Sequence, residues 1–358
     1  MQVQLAKIEN RNYQLNRCKM ERTPFRILAI DGGGIKGIIP ATILQTIQSK
    51  LDHPLYCYFD LIVGVSSGAL TAYSIVTPRS SSGTSKTTPL FDIKDIVELY
   101  RKKSHEIFST RTPDGINLGF TSAKYSSKGI ESLLKDSFGE RRISQCLTPT
   151  ISVSYCTEHR RPIFFKSSLS HTKSHRDVKI WEACRASTAA PIYFPPFRLH
   201  VTPEDSASIN FSLIDGGVAC NNPSIIGIIE SLRQAPSRPI HLISIGTGRT
   251  KKQISYSSID DGGLKDWGSD IVDVLMGGQE DVSNQAVIAM LRSINNSQHV
   301  RIQMELPTEL EPMDKAKNVE SLFQLTTSFL KENREVIDKA INLIDIPYLN
   351  NKNQGHVT

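Results

Sequence analysis

Residues 61–77 run without a charged side chain and carry the turn Gly64-Val65-Ser66-Ser67-Gly68. The run is long enough to suggest a membrane span, but two glycines and several hydroxyl residues interrupt it. It divides instead into a strand at 60–65 and a small-residue helix from 67 to about 76. An apolar strand of this kind must be covered on both faces. The segments before it follow the same logic: a short apolar strand at 25–30, a glycine-rich loop at 31–37, and a helix over 38–50 with Ile39, Ile43, Leu44 and Ile47 at helical spacing. The order strand, loop, helix, strand, turn, helix implies an α/β fold with a parallel sheet buried between helices.

Further strands are expected at 150–155, 163–166, 211–214 and 240–245. Further helices are expected near 128–137, 222–233, 269–293 and 318–344. The Ser-, Thr- and Pro-rich segment 77–89 reads as an exposed loop, with a flap over the site as the alternative. No internal repeat is visible. A length of 358 residues, 39% hydrophobic and 22% charged, suits one large globular domain with small appendages.

The net charge of +6 is uneven. Lys7, Arg11, Arg17, Lys19, Arg22 and Arg26 face only Glu9 and Glu21 in the first 26 residues. Such an arm is a solvated leader that also attracts an anionic membrane surface; no motif for a nucleic-acid polymer accompanies it. Cys18, Cys57, Cys146, Cys156, Cys184 and Cys220 form no CxxC pair and no metal-ligand rhythm, so no metal is expected and a reducing compartment is the default. With no apolar leader core at the N-terminus, a cytoplasmic location is expected.

The loop Asp31-Gly32-Gly33-Gly34-Ile35-Lys36-Gly37 satisfies GxGxxG after a strand and before a helix, which raises a dinucleotide-binding reading. That fold places an acid at the end of its second strand. Here the second strand ends at Val65 and delivers Ser66, and no GxxxxGK[ST] is present. Without a nucleotide, consecutive glycines still let backbone N–H groups converge on one small space. Beside Ser66 they would form an oxyanion hole; a plain glycine turn is the competing reading.

GxSxG places a serine on a sharp strand-to-helix turn, with its hydroxyl above the sheet at a helix N-terminus. There the helix dipole and the Ser67 amide favour a developing negative charge. A serine hydroxyl needs a base. His241 starts an apolar strand at the end opposite Gly246-Thr247-Gly248, and His299 and His356 lie in a polar turn and the tail. Asp215-Gly216-Gly217 follows the apolar strand 211–214, so Asp215 should reach the sheet edge that carries Ser66. A surface turn is the alternative.

Taken together, the glycine loop, Gly64-Val65-Ser66-Ser67-Gly68 and Asp215-Gly216-Gly217 resemble the patatin-like phospholipases. So do the stretch Ala186-Ser187-Thr188-Ala189-Ala190-Pro191-Ile192-Tyr193-Phe194-Pro195-Pro196 and Asn221-Asn222-Pro223. The resemblance spans roughly residues 24–300, leaving a basic arm at 1–23 and a helical extension and tail at 301–358. It implies a three-layer α/β/α sandwich with a mostly parallel sheet and a Ser66–Asp215 dyad without cofactor or metal. It also implies an oxyanion hole from the Gly33 and Gly34 amides, assisted by Ser67. Gly32, Lys36, Gly37, Gly64, Gly68, Gly216 and Gly217 would support these motifs, Lys36 through loop support or phosphate attraction.

The expected activity is phospholipase A-type release of fatty acid at a phospholipid membrane surface, with peripheral membrane association when active. Two regulated alternatives follow from bacterial members: an antiviral effector switched on by a cyclic-nucleotide activator, and a host-directed toxin. An oligomer is compatible with either.

Overall fold

The computed structural model describes residues 23–80, 88–108, 122–170, 176–202, 208–250, 253–263, 267 and 270–344. Most of the basic arm, the tail after 344 and the centre of the 77–89 loop therefore lie outside the described residues. Of that loop, the flanks are joined by an antiparallel bridge between Pro78 and Pro89.

Along the chain the main elements are β1 (Phe25–Ile30), α1 (Ile38–Gln48), β2 (Leu61–Val65), α2 (Ser67–Val76), α3 (Ile93–Ile107), α4 (Ser127–Phe138), β3 (Thr150–Cys156) and β4 (Arg161–Lys166). Then follow α5 (Ile180–Ser187), β5 (Phe197–Val201), β6 (Ile209–Asp215), α6 (Ser224–Gln234), β7 (Ile240–Ile245), α7 (Asp270–Arg292), β8 (Gln298–Ile302), α8 (Val319–Glu332) and α9 (Arg334–Ile344). The charge-free run at 61–77 is β2 and α2, buried at nearly every position within the protein. No helix among the described residues is long and apolar enough to cross a membrane.

The strands form one mixed sheet in the order β5-β6-β3-β2-β1-β7-β8, with β4 also paired to β3. β1, β2, β3, β7 and β8 run parallel; β4 and β6 are antiparallel to β3, and β5 to β6. Alternation along the strands splits the core in two. Leu28, Ile30, Ile62, Ile243 and Ile245 face α1–α5, α8 and α9, whereas Ile27, Ala29, Leu61, Val63 and Leu242 face Ile228 of α6 and Val287 and Leu291 of α7. Helices on both faces of a mostly parallel sheet make the α/β sandwich expected.

Three local expectations need correction. The helix expected over 318–344 is two helices, broken at Asn333, whose main chain and side-chain amide both donate to Phe329 O at 2.9 Å and so cap α8. His299 lies in β8, paired with Leu242, rather than in a polar turn. And α3, α5, β5 and β8 had no counterpart among the expected elements. The expected boundary at residue 300 falls inside β8, and the residues beyond it supply Ile302, Leu322, Ile337 and Ile341 to the larger core cluster.

Candidate active site

Ser66 sits between β2 and α2 with φ 53° and ψ −124°. A non-glycine residue in this region is strained by about 1–3 kcal/mol and persists only where its surroundings hold it. The holding groups are visible. Ser66 N–H donates to Ser187 Oγ (2.9 Å), and Ser187 Oγ donates to Val153 O on β3 (2.6 Å). The turn also needs close backbone approach, because a Cβ on Gly64 would stand 2.4 Å from Gly68 O and one on Gly68 2.3 Å from Ile30 O.

Asp215 reaches Ser66 by a route that a parallel strand would not provide. β4 occupies one edge of β3 along residues 151–156. The other edge is shared in series: Thr150–Val153 pair with β2, and Ser154–Cys156 pair with β6. β6 runs in the opposite sense, so its last residue lands beside Ser154, one step past the Val65↔Val153 pair. The end of β6 therefore meets the end of β2 head-on. Ser66 Oγ–H donates to Asp215 Oδ2 at 2.6 Å, and Gly217 N–H donates to Oδ1 at 2.7 Å. Both residues are buried. Burial pushes the Asp215 carboxyl up from 3.8 to about 6, with the Ser66 and Gly217 hydrogen bonds opposing the rise.

The glycine loop crosses the same space. Gly32 is held by its N–H on Asn221 O (3.3 Å) and by Thr247 Oγ1 donating to its carbonyl (2.8 Å). Ile35 N–H is taken by Met313 O and Lys36 N–H by Gly33 O. The Gly33 and Gly34 amides make no hydrogen bond among the described residues. Gly34, at φ +59°, needs glycine, since a Cβ there would lie 2.2 Å from Met313 O. At its start the loop is anchored by Asp31, which Arg301 of β8 grips at 3.0 and 2.5 Å while also bonding Glu280 and Ser244. Burial pushes Asp31 up to about 7 in spite of that guanidinium.

Two cavities meet at Ser66. One, of about 360 Å³, contains Gly33, Gly34, Ser66, Asp215 and Gly217 with Leu275 and Met276 of α7. The other, of about 50 Å³, is mostly apolar and lined by Ile35, Leu70, Ile107, Phe108, Ile130 and Phe194, with Ser67 also in its wall. Ser66, Asp215, Gly33 and Gly34 are thus brought to one space, and Ser67 to the adjoining one. Gly37 packs against Ser67 and the Tyr100 hydroxyl, and Gly216 against Val153 O. Lys36 is elsewhere, in a polar recess of about 160 Å³ behind Gly33 with Arg249 and Glu311.

The described histidines stand apart from this cluster. His241 Nδ1 pairs with Leu343 O at 2.9 Å, and His299 is half-buried in β8, where desolvation and then Arg301 push its pKa down to about 4. His356 lies outside the described residues. Ser187, Thr247, Arg301 and Met313 shape the site without having been singled out. Ser187 and Thr247 lay within motifs already in view, but nothing local marked Arg301 or Met313.

A family model described as patatin-like phospholipase matches residues 28–226. "Patatin-like protein 3" of Arabidopsis thaliana is 32% identical over 350 residues, covering 86% of this chain and 80% of that protein. "Probable inactive patatin-3-Kuras 1" of Solanum tuberosum is 34% identical over 242 residues, 62% of each chain. Among solved structures, VipD from Legionella pneumophila overlaps 87% of this chain and 67% of its own at 14% identity and a TM-score of 0.35, a likeness that adds nothing to the topology above.

Proposed function

The chain belongs to the patatin-like phospholipase family, and on that premise we propose that it is a serine lipid acyl hydrolase of phospholipase A type, working through Ser66 and Asp215. Membership alone does not carry the activity, since one relative bears "probable inactive" in its name. The observation that carries the reading is the 2.6 Å contact of Ser66 Oγ with Asp215 Oδ2 on a strained turn, in a cavity also lined by Gly33 and Gly34, whose amides make no hydrogen bond among the described residues.

Asp215 takes the Ser66 proton as Oγ attacks the acyl carbonyl carbon. A carboxylate near pKa 6 is a better base than an ordinary aspartate, and Gly217 N–H holds Oδ1 so that Oδ2 faces the hydroxyl. The carbonyl oxygen, now an oxyanion, is received by the Gly33 and Gly34 amides, with the Ser67 amide at the N-terminus of α2 assisting. Asp215 returns the proton to the departing glycerol oxygen, which leaves the acyl group on Ser66. Water then enters, gives a proton to Asp215 and attacks the ester carbon; collapse releases the fatty acid and restores Ser66 Oγ–H.

Fatty-acid release from mixed phospholipid vesicles, read by mass spectrometry, tests this. Ser66→Ala and Asp215→Asn should each lose about a thousandfold or more. Full release by either folded variant overturns the dyad. Adding cyclic dinucleotides to the same assay tests the regulated reading: a higher rate supports it and an unchanged rate removes it.

A further inference from the structure

The chain beyond the matched family region supplies a wall of this site. After β8 the backbone returns alongside the loop that follows β7: Arg249 N–H donates to Met304 O (3.0 Å) and Leu306 N–H to Arg249 O (2.9 Å). Thr250 Oγ1 donates to Glu311 (2.7 Å), and Asn318 Nδ2 to Glu309 O (2.9 Å). Between these ties, residues 311–314 pass over the glycine loop. Met313 O accepts Ile35 N–H at 2.9 Å and lies directly against Gly34.

Asp314, next in the chain, is buried and accepts the Tyr125 hydroxyl at 2.8 Å and an ion pair from Lys124. The Lys124 and Tyr125 amides in turn donate to Ile192 and Tyr193 carbonyls, both at 2.8 Å, which pins the left-handed backbone of Ile192 (φ 75°) between Pro191 and Tyr193 of the dyad cavity's lining. The Asp314 carboxylate thus joins the glycine loop to the 190–193 turn.

Met313 borders the dyad cavity, the small apolar pocket and the polar recess alike. The aromatic part of the apolar pocket's wall is braced: Phe108 and Phe194 pack on each other with centroids 5.7 Å apart, and both pack on the Tyr125 ring outside the lining. An alkyl chain longer than the present 50 Å³ admits must move something. Unbranched methionine, with a polarisable thioether, is the adaptable member of that wall.

We propose that residues 311–314 form a strap that sets acyl-chain selectivity, with Met313 as the dividing side chain and Asp314 as a positioning residue for the Gly33–Gly34 amides; this rests on the acyl-hydrolase reading. Through the Met313 carbonyl the strap takes the Ile35 amide, next in the chain to Gly33 and Gly34, which line the cavity with Ser66. Misplacing the Gly33 and Gly34 amides by about 1 Å costs up to about a hundredfold in rate.

Purified full-length protein assayed on p-nitrophenyl butyrate and p-nitrophenyl palmitate tests both halves. Met313→Ala should raise the palmitate-to-butyrate ratio of kcat/KM by about tenfold and Met313→Trp should lower it by a similar factor. An unchanged ratio in both folded variants overturns the selectivity role. Tyr125→Phe and Asp314→Asn should lower kcat for both esters by about tenfold with KM nearly unchanged, and Asp314→Glu should recover part of the loss. Wild-type kcat in folded Tyr125→Phe, where ring packing is kept, overturns the positioning role. Ser66→Ala in the same panel separates the readings: its retained hydrolysis strikes the acyl-hydrolase proposal itself, whereas an inactive Ser66→Ala with unaltered Met313 and Tyr125 variants strikes only the strap.

Discussion

As the proposed base, the Asp215 carboxylate faces two opposed demands: it must ionise to accept a proton, yet burial disfavours the ion and lifts its pKa to about 6. Activity therefore needs the deprotonated form, and kcat/KM should fall about tenfold per pH unit below about 6 in a pH-rate profile. A profile flat down to pH 4 would remove Asp215 as the base. Stability moves the other way. The folded state binds the proton more tightly than the unfolded chain between 3.8 and about 6, so this carboxyl's contribution is full below that window and lost as pH rises through it. Asp215→Asn should accordingly gain in melting temperature relative to wild type between pH 4 and pH 8. Both residues of the proposed dyad were legible because each sits in a local turn whose glycines allow a close backbone approach. The carboxylate's raised pKa was not, since it comes from burial by residues far along the chain.

Within the elements, the direction of β6 was hidden. A parallel β6 would also be apolar and would also end in Asp-Gly-Gly, so the pattern at 211–217 cannot tell the two senses apart. The antiparallel sense shows only in the pairing of β6 with β3 beyond Val153, a matter of tertiary pairing rather than of local sequence. β8 escaped notice for a related reason: His299 reads as part of a polar turn, and the strand around it makes sense only once Asp31 and Glu280 are placed to satisfy Arg301. Ser187 at the end of α5 shows the same dependence, because its hydroxyl bridges β3 to the strained turn. Ser187→Ala leaves the Ser66 amide and the Val153 carbonyl short of that partner in a buried setting. It should cost about 1–3 kcal/mol in urea unfolding and lower kcat as the turn relaxes. Wild-type stability together with wild-type kcat would show that the turn is held by other contacts.

Across the whole molecule, the three motifs lie before residue 218, but the frame that fixes them does not. β1 is central, flanked by β2 on one side and β7 then β8 on the other, so the sheet closes only when residues 240–302 have paired. Arg301 reaches from β8 past Ser244 of β7 to Asp31 at the end of β1, and so couples the late strand to the glycine loop. α8 and α9 then bury Leu322, Leu330, Ile337, Ile341 and Ile344 in the core cluster that holds the sheet's Ile30 and Ile245. Full burial of one such side chain contributes about 1.5–3 kcal/mol, so five together rival the net stability of a whole domain, about 5–15 kcal/mol. Removing Arg301 as well leaves the buried Asp31 carboxylate unpaired, which typically costs about 3–5 kcal/mol. A chain ending at residue 300 should therefore show no cooperative urea transition and no esterase activity, while one ending at Ile344 should keep both. If the shorter chain unfolds cooperatively at the longer chain's midpoint, the C-terminal helices are an appendage to a domain that closes without them.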